Sequence, residues 1–124
     1  MGEGVLIDTD ILINYIKGLT ELPKGPVFIS EITLYEFLRG SRDPARAKRL
    51  LEEGFRIIFH DNDVILKASE LWRTLKESGE MVEDRDLLIA AVSISKNLPL
   101  MTGNLRHFDK FRNFGLEFWK SYSY

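Results

Sequence analysis

The sequence predicts an α/β domain spanning residues 1–124, with a parallel sheet of about four to five strands covered by helices on both faces. Short, wholly apolar runs such as VLI at 5–7 and LPLM at 98–101 alternate with longer segments at helical spacing. A strand with no polar side is one buried on both faces, the habit of parallel sheets rather than of half-solvated antiparallel ones. No repeat, low-complexity stretch or long linker divides the chain. It is long enough to bury a core without disulfide or metal staples.

The elements follow in order. Gly4 to Ile7 reads as a buried strand, and Ile11 to Lys17 as a helix closed by Gly18. LTELPKGP, with Pro23 and Pro26, is a loop, and Val27 to Ile29 a second strand. Ser30 caps a helix over EITLYEFLRG that Gly40 ends. Asp43 before Pro44 starts another helix, which Gly54 is expected to stop, and FRIIF at 55–59 is a third strand. From Asp61, the residues Val64, Ile65, Ala68, Leu71, Trp72 and Leu75 recur at helical spacing, with Trp72 an expected core residue. LLIAAVSI, within a helix from about Asp84 to Lys96, is apolar nearly all round and should be deeply buried. Leu98 to Met101 is a fourth strand and Leu116 to Trp119 an expected fifth.

Composition narrows the function. With 44% hydrophobic and 29% charged residues, the chain is ordinary for a globular protein. No cysteine is present, which removes disulfides, thiolate metal sites and cysteine nucleophiles. No apolar run approaches the roughly 20 residues needed to span a bilayer, and Glu3 breaks the layout of a signal peptide. A cytoplasmic protein is the expectation. A net charge of −2 gives no broad cationic field, so nucleic acid would have to be met by a local basic patch or through metal ions.

Four oxygen-bearing side chains interrupt apolar surroundings: Asp8 at the end of the first strand, Glu36 within ITLYEFL, Asp86 before LLIAA, and Asn104 after PLMTG. Each has an ordinary explanation. Asp10 is the better placed to cap the helix from Ile11, Asp8 being too early, and Asp84 is suited to cap the helix that follows it. Glu36 has Arg39 within ion-pair reach on the same helix, and Asn104 suits a turn. Taken together they say more. Ligands of open α/β sheets gather beyond the carboxyl ends of strands where the strand order reverses, which points Asp8 and the Thr102–Asn104 turn toward one crevice. Carboxylates gathered there would repel one another unless a cation intervened. With His60 and His107 far apart in sequence and no thiolate, zinc is poorly supplied, whereas an all-oxygen set suits magnesium or manganese. Such ions activate water and neutralise a cleaving phosphate, which implies phosphodiester hydrolysis.

At this point IDTDILINYI, ISEITLYEFLRG, DLLIAA and LMTGNLRHF, in that order, resemble the PIN-domain nucleases and, more narrowly, the VapC toxins of toxin–antitoxin pairs. The resemblance covers nearly the whole chain. It implies a PIN-like fold, a magnesium- or manganese-dependent ribonuclease, a homodimer and a cognate VapB-like antitoxin. It matches the family's acidic positions to Asp8, Glu36 and Asp86, and the fourth, acidic in some members, to Asn104. It implies that Asp8, Asp86 and Glu36 form the metal site, with Glu36 orienting or deprotonating the attacking water. Asn104 would complete the site, Thr102 would fix the turn, and Asp84 and Asp10 stand as secondary candidates. Where many members carry another Asp, this chain has His107 before Phe108.

RNA contacts are expected from Arg39, Arg42, Arg106, His107 and Lys110, with Phe108 and Phe111 either stacking bases or filling the core. Ala47, Leu50 and Leu51 form an apolar seam that is either core or a groove for a partner helix. WKSYSY at 119–124 is aromatic enough to pack on the sheet edge or a partner. Alternatives are an RNA-processing PIN nuclease outside any toxin pair, usually found with appended modules, and a PIN module that binds without catalysis. A module relieved of chemistry has no reason to keep clustered acids. A receiver domain would want a lysine after a late strand, and PLMTGN has none.

Overall fold

The computed structural model describes residues 4–120. Four strands, β1 (Val5–Ile7), β2 (Val27–Ser30), β3 (Arg56–Ile58) and β4 (Leu100–Met101), form an all-parallel sheet in the order β3-β2-β1-β4. The register pairs Leu6 with Phe28 on one side and with Leu100 on the other, which makes β1 central. The chain lays down β1, β2 and β3 outward in one direction, then returns to place β4 on the opposite flank of β1. The strand order therefore reverses between β1 and β4, and Asp8 and Thr102 follow the carboxyl ends of those two strands, where a site is expected.

Alternation along the strands explains the two cores. Leu6 and Phe28 point to one face, into a cluster with Val64, Leu71 and Leu75 of α4 (Asn62–Glu77) and Leu87, Ile89 and Val92 of α5 (Asp84–Ser95). Val5, Ile7 and Ile29 point to the other, against Leu12 of α1 (Thr9–Ile16), Leu34 of α2 (Glu31–Arg39) and Leu51 of α3 (Pro44–Gly54). A helix so apolar as α5 is buried along its length, with Ala90 and Ala91 fully enclosed. The short α6 (Leu105–Phe108) runs into a 3₁₀ turn over Asp109–Phe114, and both Phe108 and Phe111 lie wholly in the core.

Several boundaries differ from expectation, each for a local reason. The first helix begins at Thr9, two residues earlier than periodicity suggests, because Asp8 and not Asp10 is its N-cap. Gly54 lies inside α3; the helix stops when Phe55 turns extended to enter β3. Leu116–Trp119 is not a strand. It makes an isolated bridge, with Leu100 N–H donating to Glu117 O at 2.8 Å and Trp119 N–H to Leu100 O at 2.8 Å, because β4 is only two residues long. The aromatic Trp119 packs against the second core cluster, and the rest of WKSYSY lies outside the described residues. Trp72 is not core: it is 46% exposed, with the Lys76 ammonium 4.7 Å above its ring.

Asp61 ties the two long helices together. Its Oδ1 accepts from Val64 N–H at 3.0 Å as the cap of α4, and its Oδ2 pairs with Lys96 at the end of α5. The bond to Lys96 and that to Val64 hold the Asp61 carboxyl below its ordinary value of 3.8. A carboxyl lowered in the folded state contributes stability above its unfolded value and loses it as pH falls through the folded one. Asp61→Asn, which keeps an acceptor for Val64, should therefore lower the urea midpoint at neutral pH. The gap from wild type should stay constant down to about pH 4 and close below it, and it should narrow in high salt.

Candidate active site

The crevice is built by the ends of three elements and the middle of a fourth. β1 delivers Asp8 at its carboxyl end, where the carboxylate is 0% exposed, and Asp8 N–H donates to Met101 O at 2.9 Å, which locks the turn to β4. The turn after β4 brings Thr102, and the first turn of α5 brings Arg85 and Asp86. Ser30, whose Oγ accepts from Thr33 N–H at 3.2 Å, starts α2 so that Glu36 reaches the same space one and a half turns on.

These groups converge on Arg85. Its Nη2 donates to Asp8 Oδ1 at 2.5 Å, its Nε to Glu36 Oε2 at 2.7 Å, and its Nη1 to Asp86 Oδ1 at 2.8 Å. The planar guanidinium fork thus serves three carboxylates from three elements. The other oxygen of each carboxylate has its own neighbour. Thr102 Oγ1 donates to Asp8 Oδ2 at 2.9 Å, Thr9 Oγ1 to Glu36 Oε1 at 2.6 Å, and Asp86 Oδ2 faces His107 Nδ1 at 3.6 Å. Burial pulls the Arg85 guanidinium toward losing its proton, but the bond to Glu36 and the charge of Asp8 outweigh it and raise its pKa above its ordinary value. Arg85 is a fixed positive charge.

Asp10 stands beside this group as a support of the turn. Its Oδ1 accepts from Ile11 N–H at 2.9 Å and its Oδ2 from Gly103 N–H at 2.8 Å. A Cβ at position 103 would fall 2.5 Å from that same oxygen, so glycine is what lets the backbone come this close. Burial, then the charge of Asp8, raise the Asp10 carboxyl above its ordinary value, against the two amide bonds and Arg85.

The other expected residues divide. Asn104 sits exposed at the rim, its N–H on Thr102 Oγ1 at 3.0 Å, and its side chain does not cap α6. Asp84 does not cap α5: the N-cap is Glu83, without a side-chain bond, and Asp84 lines the cleft between α4 and α5 with Trp72 and Arg73. Arg39 leaves Glu36 alone and stacks 5.2 Å from the Tyr35 ring centroid, and Arg42 is exposed beyond α2. Arg106 and Lys110 line a wide groove with Arg112, Lys120, Glu80 and Glu117. Phe108 and Phe111 are core, so base stacking does not fall to them.

Sequence reasoning does not select Arg85 or Thr9. The signal for Arg85 is nonetheless present: in EDRD a cation occupies the first helical turn, where the macrodipole disfavours it, so only nearby anions can hold it there.

As a metal site, the donor set fits a hard divalent ion, and the Arg85 guanidinium occupies the position such an ion would take. Three carboxylate oxygens facing one cation, with no sulfur, are what a hard divalent ion takes. Yet among the described residues no three His, Cys, Asp or Glu side chains are close enough together to hold an ion; they are spread around the larger guanidinium.

The arrangement has relatives. A PIN domain family model matches residues 5–113. The chain belongs to the PIN domain family. Ribonuclease VapC1 of Methanocaldococcus jannaschii is 37% identical over 117 residues, covering 93% of this PIN domain and 86% of that protein. The structure of VapBC-1 from nontypeable Haemophilus influenzae superposes with a TM-score of 0.78 at 26% identity, covering 95% of this chain and 98% of that one. DNA-bound VapBC from Salmonella typhimurium gives 0.77 at 26% identity, covering 96% and 98%. The four-stranded parallel sheet flanked by helices is thus the PIN fold.

If Thr102 orients Asp8 as the geometry indicates, Thr102→Val leaves a buried carboxylate oxygen without its donor. Urea unfolding of the metal-free PIN domain should show a loss of about 1–3 kcal/mol, and Thr102→Ser should restore most of it.

Proposed function

We propose that this PIN domain is a magnesium- or manganese-dependent RNA endonuclease of the VapC type, the cytoplasmic toxin of a pair whose antitoxin is VapB-like. The observation that supports the reading most is the convergence of Asp8, Glu36 and Asp86 on one cation position at the sheet's switch point. The relatives named ribonuclease VapC, and neighbours solved as VapBC complexes, support the substrate class and the partner.

Asp8, Asp86 and Glu36 would hold the ion. When bound, it supplies Lewis acidity, lowering the pKa of a water and offsetting negative charge on the phosphate under attack. Glu36, the most solvent-accessible of the three, would orient or deprotonate that water. Thr9 and Thr102 keep the carboxylates aimed, and Asn104 at the rim is free to hold a water or a ribose hydroxyl. RNA is a polyanion approaching an acidic pit on a chain of net charge −2. Arg106, His107 and Lys110 on one side and Arg39 and Arg42 on the other provide the local positive rim that such an approach needs.

The antitoxin reading is supported by an apolar groove of about 410 Å³ between α1 and α3, lined by Tyr15, Ile16, Phe37, Ala47, Leu50 and Phe55. Ile16 and Leu50 are more than half exposed there, which leaves a surface suited to the apolar face of a partner helix. The homodimer reading is supported by the cleft between α4 and α5, where Ile65 and Trp72 are each nearly half exposed. Trp72→Glu should leave thermal stability within about 0.5 kcal/mol of wild type and shift sedimentation from dimer to monomer.

Purified protein should cleave defined RNA fragments with magnesium or manganese and stop in EDTA. Asp8→Asn, Glu36→Gln and Asp86→Asn should each lower the rate by about a hundred-fold or more while RNA binding persists. Cleavage that continues in EDTA, or wild-type rates in folded Asp8 and Asp86 variants, rules the reading out.

A further inference from the structure

Resting on the metal-dependent reading, we propose that Arg85 is a resident counter-ion that keeps the crevice assembled but inactive, and that a divalent ion enters only by displacing its guanidinium. Arg85 is then a positioning residue with two states. It is bound among the carboxylates when metal is scarce and released toward solvent when metal is held.

Three features carry this. First, the oxygens are spoken for. Thr102 takes Asp8 Oδ2, Thr9 takes Glu36 Oε1, and His107 faces Asp86 Oδ2. The oxygens turned toward a common cation are Asp8 Oδ1, which also accepts from Thr9 N–H at 2.7 Å, Glu36 Oε2 and Asp86 Oδ1, and Arg85 holds all three. Second, the guanidinium nitrogens lie 2.5, 2.7 and 2.8 Å from those oxygens, so an ion meeting all three must take the place the guanidinium fills. Third, the side chain has somewhere to go. Arg85 is 25% exposed at the crevice mouth and sits in the first turn of α5, so a χ rotation carries its head outward without moving the helix. The helix cannot follow, since Leu87, Ile89, Ala90, Ala91 and Val92 anchor it in the core.

The chemistry makes the exchange reciprocal. Without a cation, Asp8, Glu36 and Asp86 would face one another unscreened in a largely buried space, with Asp10 adjoining. Arg85 removes that repulsion inside the chain itself. A ligand that must expel an internal competitor binds with reduced apparent affinity, so metal affinity is set partly by Arg85.

Two measurements on the full chain test this. Free manganese counted by electron paramagnetic resonance gives the affinity. Arg85→Gln should bind Mn²⁺ about ten-fold or more tightly than wild type. It should also melt lower without metal and gain more from it, because the repulsion is no longer offset. Wild-type protein answers the question even if that variant fails to fold. In ¹⁵N spectra of arginine side chains, with the Arg85 Nε–H assigned by its loss in Arg85→Lys, the signal should be protected without metal. On saturation with diamagnetic Mg²⁺ it should move to the exchange-averaged position of a free arginine. Equal or weaker Mn²⁺ affinity in folded Arg85→Gln, or an Nε–H that stays protected at saturating Mg²⁺, overturns the proposal and leaves the nuclease reading standing. Failure of both wild type and Arg85→Gln to bind Mn²⁺ overturns that reading as well.

Discussion

A carboxylate with no solvent exposure at the end of a central strand is costly, and the fold is arranged around meeting that cost at Asp8. The partner is the Arg85 guanidinium, 77 residues away in sequence, carried on a helix whose other side chains fill the core. The pairing requires β1 and α5 to meet at one end of the sheet. Once they do, Glu36 and Asp86 are drawn to the same guanidinium, and the crevice takes its shape. Breaking a buried pair of this kind by removing one member leaves the other charge stranded, which is why such groups arrive together or not at all.

Around the charged centre lies a set of hydroxyls that decides direction. A carboxylate only accepts, so the single proton of Thr9 Oγ1 is committed to Glu36. At its 3.1 Å contact with Thr33 Oγ1, Thr9 must then accept. Thr33 lies in turn 3.4 Å from Ser30 Oγ, the group that caps α2. A helix cap, a buried threonine and a catalytic candidate are thereby joined in one line. Hydrogen bonds of this sort polarise one another inside a low-dielectric site, and they hold a carboxylate to one rotamer where a solvated one would sample several.

The same topology separates the clustered acids from the basic side chains. The acids lie at the switch point between β1 and β4, while Arg106, Lys110 and Arg112 line a separate groove, on a segment that Phe108 and Phe111 pin to the core. Apolar surface is left uncovered elsewhere, on the groove of α1 and α3 and on the cleft of α4 and α5. Clustered acids, basic groove and uncovered apolar faces are thus built from different elements of a small domain.

What the residues determined alone was everything with a short range. Apolar runs specified four strands, spacing specified the long helices, and Ser30, Asp43 and Asp61 marked starts that their cap bonds confirm. Even the crevice was legible, because strand order in a parallel sheet leaves few places for Asp8 and Thr102 to go. The tertiary structure decided the partners. Asp8 and Asp10 differ by two positions, and only the arrival of Gly103 and Thr102 from the far end of the chain separates a turn support from a site carboxylate. Trp72 lies on an amphipathic helix and Phe111 among charged residues, yet the first is exposed and the second enclosed, because burial depends on which element packs opposite. Arg85 is the plainest case: its charge is local information, but its use lies in three carboxylates that no nearby spacing brings together.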